Sequence, residues 1–232
     1  MFLEIHDLKK SFGKKESKID VLKGLSFEIE RGEMCVLLGP SGCGKSTLLN
    51  IIGGIDTPSS GYISIEGDKM GDMSEKELTR YRRKHLGYVF QMYNLIPNLN
   101  IKENVEVGKY LSDNPLDTDE LLKTLGLYEH RHKLPNQLSG GQQQRASIGR
   151  AIIKNPDILL CDEPTGALDY ATSKEILKLI SEVNQKYGNT IIMVTHNDAI
   201  KQMADRVITL RDGMVRKNYM NENKVDAKDL DW

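Results

Sequence analysis

Little in this sequence would suit a disulfide scaffold, a membrane core or a polyanion coat. Its three cysteines, Cys35, Cys43 and Cys161, show no paired spacing. No disulfide framework is expected, and a reducing compartment fits better. No apolar run approaches the ~18 residues of a membrane span. The longest runs, residues 34–38, 158–161 and 191–194, have the length of buried strands. Glu4 and Asp7 interrupt any apolar region of a signal peptide at the N-terminus. Charge of one sign is also missing: 32 Lys+Arg stand against 33 Asp+Glu. That balance argues against a protein that coats nucleic acid or an anionic membrane. The 232 residues, 39% of them hydrophobic and 28% charged, suffice for a large domain with a real core. A cytoplasmic enzyme or ligand-binding protein with no nucleic-acid partner is expected.

Short apolar runs alternate with helical patterns. Residues 26–30 alternate with period two and read as a half-buried strand, while Met34–Leu38 reads as a fully buried one. Residues 45–53 look helical, and residues 62–65 and 86–90 are further strands. Ser74-Glu75-Lys76-Glu77 has the form of a capping box and predicts a short helix. From about Gln91 to Pro156 strand signals fade, with helices expected at 119–125 and 141–153. Strands resume at 158–161, 190–194 and 206–210. Between the first two, Ile176, Leu177, Ile180 and Val183 share a helix face, and Gly188 is a suitable stop. The pattern is a mixed α/β core interrupted by a helical insertion. Residues 218–232 are polar and aperiodic, so a mobile tail is expected; the other reading is a short docking helix using Leu230 and Trp232.

Three motifs carry chemistry. Gly39-Pro40-Ser41-Gly42-Cys43-Gly44-Lys45-Ser46, followed by Thr47, matches the G-x-x-x-x-G-K-[ST] phosphate loop between a strand and a helix. Phosphate oxygens need converging N–H donors, and Gly39, Gly42 and Gly44 permit the tight curl that supplies them. Lys45 adds a point charge, Ser46 offers a hydroxyl to Mg²⁺, and the following helix aims its positive end at the anion. In the second motif an apolar strand, residues 158–161, ends in Asp162-Glu163. Asp162 is the metal-side acid and Glu163 the candidate general base. The third motif is Leu138-Ser139-Gly140-Gly141-Gln142, two glycines opening a helix that Ser139 can cap. That helix start is a second anion site. One bound triphosphate needs only one such cradle, so the simplest use of the second is a nucleotide on another copy in head-to-tail twofold arrangement.

With these motifs together, residues 1–217 resemble the nucleotide-binding subunit of an ATP-binding cassette (ABC) transporter. The resemblance implies a phosphate-loop NTPase of the ABC type. A RecA-like core with an antiparallel β subdomain would occupy residues 1–90 and 156–217. A helical subdomain carrying the signature would occupy residues 91–155, and residues 218–232 would be a tail. It implies ATP and Mg²⁺, with nucleotide held by Ser41, Gly42, Cys43, Gly44, Lys45, Ser46 and Thr47. Ser139, Gly140, Gly141 and Gln142 would come from the opposing subunit. Gln91 matches the glutamine that meets Mg²⁺ beside Ser46 and Asp162, and His196 the switch histidine at the γ-phosphate. Asp169, in Ala167-Leu168-Asp169, falls near the partner subunit, and Phe12 where the family carries the ring that stacks on adenine. Lys45, Gln91, Glu163 and His196 are the implied catalytic set. Cys43, beside Lys45 and a helix N-terminus, is expected to be sensitive to alkylation and protected by ATP.

Transport would need a separate membrane permease subunit, docking near residues 91–105, a stretch unusually apolar for a loop. The cassette would then lie peripherally on the cytoplasmic face of the membrane. Gly-Gly-Ile-Asp-Thr-Pro-Ser-Ser-Gly at residues 53–61, Gln142-Gln143-Gln144-Arg145 and the run from Asp162 to Asp169 resemble the macrolide-export, lipoprotein-release and antimicrobial-peptide-resistance group. Two alternatives remain open at this point. One is an amino-acid-type importer ATPase; the other is a non-transport regulator acting on cell-wall hydrolases through a membrane partner.

Overall fold

The computed structural model describes residues 1–14 and 17–231. Strands β1 (Leu3–Phe12), β2 (Ile19–Ile29), β4 (Ser60–Ile65) and β5 (Asp68–Lys69) form an antiparallel sheet in the order β2-β1-β4-β5. A second sheet has the order β10-β9-β3-β8-β7-β6. It contains β3 (Met34–Leu38), β6 (Leu86–Val89), β7 (Ile158–Asp162), β8 (Thr190–Thr195), β9 (Arg206–Arg211) and β10 (Met214–Met220). Its strands pair in parallel except β9 with β10. The helices are α1 (Lys45–Ile52), α2 (Glu75–His85), α3 (Ile101–Glu106), α4 (Thr118–Thr124), α5 (Gly140–Ile152) and α6 (Tyr170–Tyr187). Among the described residues, none of these helices is long and apolar enough to cross a membrane.

The six-stranded sheet is buried on both faces, which is why β3 reads as a continuous apolar run. Met34, Val36 and Leu38 enter one core with α3, α4, α5 and α6; Cys35 and Leu37 enter the other with α1 and the antiparallel sheet. Local signals agree with the elements they start and stop. Ser74 and Glu77 close a reciprocal capping box at α2, and Gly188 ends α6 in left-handed backbone at φ +70°. Ile176, Leu177, Ile180 and Val183 all face the first core.

The long strand β1 has a broken pattern. Leu3 and Ile5 alternate, then Asp7 takes φ +39° and the register slips before Leu8. A bulge of this kind moves every later side chain to the other face. The edge strand β10 shows no apolar face because most of its side chains are exposed. It also runs through the expected boundary at residue 217.

The expected mobile tail is a docked strap. The Asn221 side-chain amide donates to the carbonyls of Lys201, Gln202 and Ala204 at 3.3, 3.0 and 3.1 Å. A single 3₁₀ turn, Ala227–Asp229, is capped by Asp226. Ala227 and Leu230 are buried in the first core. Two anchors are too few to make a period; the docking reading named one of them, Leu230, though the element is a single turn rather than a helix. Trp232 lies outside the described residues.

Candidate functional site

The C-terminal ends of β3, β7 and β8 converge, and the sequence motifs sit at those ends. In an open α/β sheet this is where ligands bind. After β3 the loop curls through Gly42 at φ +78° and Gly44 at φ +101°, backbone that an L side chain rarely adopts. A Cβ at Gly44 would also lie 2.6 Å from Leu22 Cδ2. Gly44 begins α1 with no side-chain cap, so the first amides of the helix face the loop's concavity as donors. Buried Lys45 folds back and donates from Nζ to the carbonyls of Gly39 and Pro40 at 2.6 and 3.0 Å. A hollow of about 310 Å³ is lined by Val21, Ser41, Gly42, Gly44, Lys45, Ser46, Thr47, Glu163 and Val194.

At the end of β7, Asp162 accepts from the Ser46 hydroxyl at 3.4 Å. Burial first, and the Glu163 carboxylate second, push the Asp162 carboxyl above its ordinary range; Ser46 and Lys45 pull it back. A carboxylate and a hydroxyl are the hard oxygen donors that suit Mg²⁺, which takes few protein ligands beside water and phosphate. The donor set therefore fits that ion. Glu163 stands in left-handed backbone at φ +48°, its N–H bonded to the Val194 carbonyl at 3.0 Å. Its two carboxylate oxygens each lie 3.0 Å from His196 Nδ1. A second hollow, about 520 Å³, opens beside this pair and is lined by Glu163, Thr165, Gly166, Leu168, Tyr170, Ser173, Thr195, His196 and Asn197.

Other expected residues are placed differently. Gln91 packs against the loop after Glu163: a Cβ at Gly166 would lie 2.8 Å from its Nε2. Among the described residues no hydrogen bond joins Gln91 to Ser46 or Asp162. Phe12 is exposed at the end of β1, with Lys10 Nζ 4.9 Å from its ring centre. Asp169 caps α6, accepting from the Thr172 N–H and hydroxyl at 3.0 and 2.6 Å, which hold its carboxyl below the ordinary range. Ser139 caps α5, and Gln142 turns back to accept from the Ser139 N–H at 3.1 Å. None of residues 138–142 lines either hollow. The signature helix start thus contributes nothing to the lining of the phosphate-loop hollow of its own chain.

Cys43 corrects an expectation. Its thiol is only 5% exposed and packs in the second core, with Sγ 2.6 Å from where a Cβ of Gly39 would sit. The side chain points inward, away from the hollow that its neighbours Gly42 and Gly44 line, so alkylation has no open path. Residues absent from the sequence reading also emerge. Val21 reaches the loop from β2, a neighbour only the fold supplies. Asn197 and Tyr170 directly follow the motif residues His196 and Asp169, and that adjacency was the available signal.

A phosphate-binding loop, a strand-end acid pair and a histidine at one sheet edge define a nucleotide-binding cassette of the phosphate-loop class. A family model described as "ABC transporter" matches residues 22–166. A putative ABC transporter ATP-binding protein of Mycoplasma pneumoniae is 47% identical over 215 residues, 91% of this chain and 46% of that protein. The chain therefore spans about half the length of this relative. The bacitracin export ATP-binding protein BceA of Halalkalibacterium halodurans is 44% identical over 92% of this chain and 86% of its own. A dimeric, post-hydrolysis structure of the ATP-binding cassette MJ0796 with ADP and Pi superposes with a TM-score of 0.85 at 38% identity. It covers 95% of this chain and 99% of that one. The chain belongs to the ABC transporter family.

Proposed function

We propose that the chain is the ATP-hydrolysing subunit of a membrane exporter whose cargo is of the antimicrobial-peptide, macrolide or lipoprotein class, and that it works as an ATP-driven head-to-tail dimer. The observation that carries the reading is the separation of the two anion cradles. The loop at residues 39–47 and the capped helix start at Ser139–Gly141 lie apart in one chain, so a second copy in twofold arrangement completes both sites. The relation to a dimeric cassette and to a bacitracin-export subunit supports it.

In this reading the amides of residues 41–47 and the Lys45 ammonium hold the β- and γ-phosphates. Ser46 and Asp162 would hold Mg²⁺, with Gln91 as a further oxygen donor. When bound, the ion neutralises charge on the phosphate oxygens. Glu163 orients and polarises the attacking water, and His196, already 3.0 Å from that carboxylate, steadies the γ-phosphate. The partner's copy of the 139–142 segment closes over the same phosphate, with Asp169 near the seam. Phe12 stacks on the adenine from its exposed position.

The membrane subunit docks on the groove beside residues 91–105, at the cytoplasmic face. Part of that apolar stretch is core: Ile101 and Val105 are buried, while Met92 and Ile96 are exposed. The groove itself, about 450 Å³, is lined by the apolar side chains of Ile55, Tyr88, Phe90, Val107 and Leu111. Its cations Arg82, Arg150 and Lys154 make no ion pair among the described residues, which suits a docking segment that mixes apolar and acidic side chains.

Glu163→Gln tests the central reading. With ATP and Mg²⁺ it should retain nucleotide binding, lose hydrolysis by at least about 100-fold, and elute as a dimer. A variant that stays monomeric at saturating ATP, or that hydrolyses at the parent rate, would sink the proposal.

A further inference from the structure

The segment after Gln91 contains a turn that Tyr93 does not favour. Tyr93 and Asn94 both take left-handed backbone, each at φ +51°. The Asn94 N–H donates back to the Met92 carbonyl, closing a three-residue turn. Such backbone is costly for a bulky residue such as Tyr93, less so for asparagine, and persists where surroundings over-determine it. Here one side chain on α5 holds both carbonyls of the turn. Arg150 donates from Nη2 to the Tyr93 carbonyl at 2.9 Å and from Nη1 to the Asn94 carbonyl at 2.5 Å. The planar fork of a guanidinium matches two adjacent carbonyls, as a lysine ammonium does not. Among the described residues Arg150 forms no ion pair with a carboxylate, so these two bonds are what holds its partly buried guanidinium.

We propose that Arg150 is a positioning residue: its guanidinium clamps the Tyr93–Asn94 turn, and through it sets Gln91 and the start of α5 for ATP hydrolysis. Tyr93 is fixed at both ends of the signature helix. Its carbonyl is held by Arg150 near the helix C-terminus, and its hydroxyl approaches Gly140 at the first position, where a Cβ would lie only 2.8 Å away. The same helix reaches the catalytic loop directly, because Gln144 Nε2 donates to the Pro164 carbonyl at 2.8 Å. Gln91 precedes the turn by two residues and packs on Gly166 in that loop. Arg150 and Asn94 also line the docking groove, so the clamp links the seat proposed for the membrane subunit to the segment that follows Gln91. The inference rests on the placement of Gln91 and residues 139–142 in the ATP site proposed above.

A double-mutant cycle tests it. The rate and KM for ATP-Mg²⁺ hydrolysis are measured for the parent chain, Arg150→Gln, Asn94→Gly and the double variant, with melting temperature alongside. Arg150→Gln should lower kcat about tenfold and change KM less than about twofold. In the Asn94→Gly background the same substitution should cost less than about threefold, because glycine takes φ near +51° without a clamp. Arg150→Lys should resemble Arg150→Gln. An equal loss in both backgrounds, or a loss that follows melting temperature alone, would overturn the clamp in favour of a plain fold-supporting role. Gln91→Ala separates the two levels. If it leaves kcat unchanged, the site reading fails and takes the inference with it. If it lowers kcat while the cycle shows no coupling, only the clamp fails.

Discussion

Gly141→Ala should destabilise the chain even though alanine is the better helix former. In an open helix the change would gain up to ~1 kcal/mol. Here the new Cβ would sit 2.5 Å from Cγ2 of Thr172, far inside the ~3.5–4.0 Å optimum for two carbons. Neither helix start can retreat freely, since Ser139 caps α5 and Asp169 caps α6. Overpacking of this kind costs about 1–3 kcal/mol, so a net loss of about 1–2 kcal/mol is expected after the gain in helix propensity. Thr172→Ser removes the offending methyl and keeps the hydroxyl that donates to Asp169. The double variant should therefore recover most of the loss. Urea unfolding of the parent, the two single variants and the double variant measures it. If Gly141→Ala is as stable as the parent, or the two changes simply add, the packing argument is wrong. A recovered double variant would also separate functions. Should it fold well yet fail to dimerise with ATP, the small residue is needed at the phosphate and not only at the helix crossing.

Two further outcomes follow from burial. Leu230→Ala should lower stability by about 2 kcal/mol, the low end for a buried leucine because the strap is a local element. Hydrogen exchange across residues 221–230 should quicken, and unchanged exchange would return the segment to the mobile-tail reading. Lys154 donates to the Arg82 carbonyl at 2.6 Å, and burial, then Arg83, pushes its amine down to about 8. Between that value and the ordinary lysine pKa of ~10.4 the unfolded chain binds more protons, so this contribution to stability rises with pH. The parent should gain stability relative to Lys154→Met between pH 8 and 10; parallel pH profiles would refute the shift.

The motif chemistry was legible because it is local. A phosphate loop needs its glycines, lysine and hydroxyl within nine residues, and capping boxes need three-residue spacings, so Ser41–Thr47, Ser74–Glu77 and Ser139–Gln142 could be read directly. The acids after β7 and the histidine after β8 were legible for a related reason: each ends an apolar run that reads as a buried strand. β1 was not legible, because the bulge at Asp7 breaks its period. The docked strap was legible only as the second reading, through Leu230; Ala227 gains meaning only from the face of α6 that receives it.

By itself the sequence determined the α/β class, the strand-to-helix placement of the phosphate loop and the residue types of an ATP site. Those depend on short-range spacing and on backbone rules that hold in any fold. Tertiary structure decided the rest. It set Glu163 against His196, Gln91 against Gly166 and Arg150 against the Tyr93–Asn94 turn, and it turned the Cys43 thiol inward. These contacts join residues far apart in the chain, and burial and hydrogen-bond geometry exist only once the two cores have closed around the six-stranded sheet.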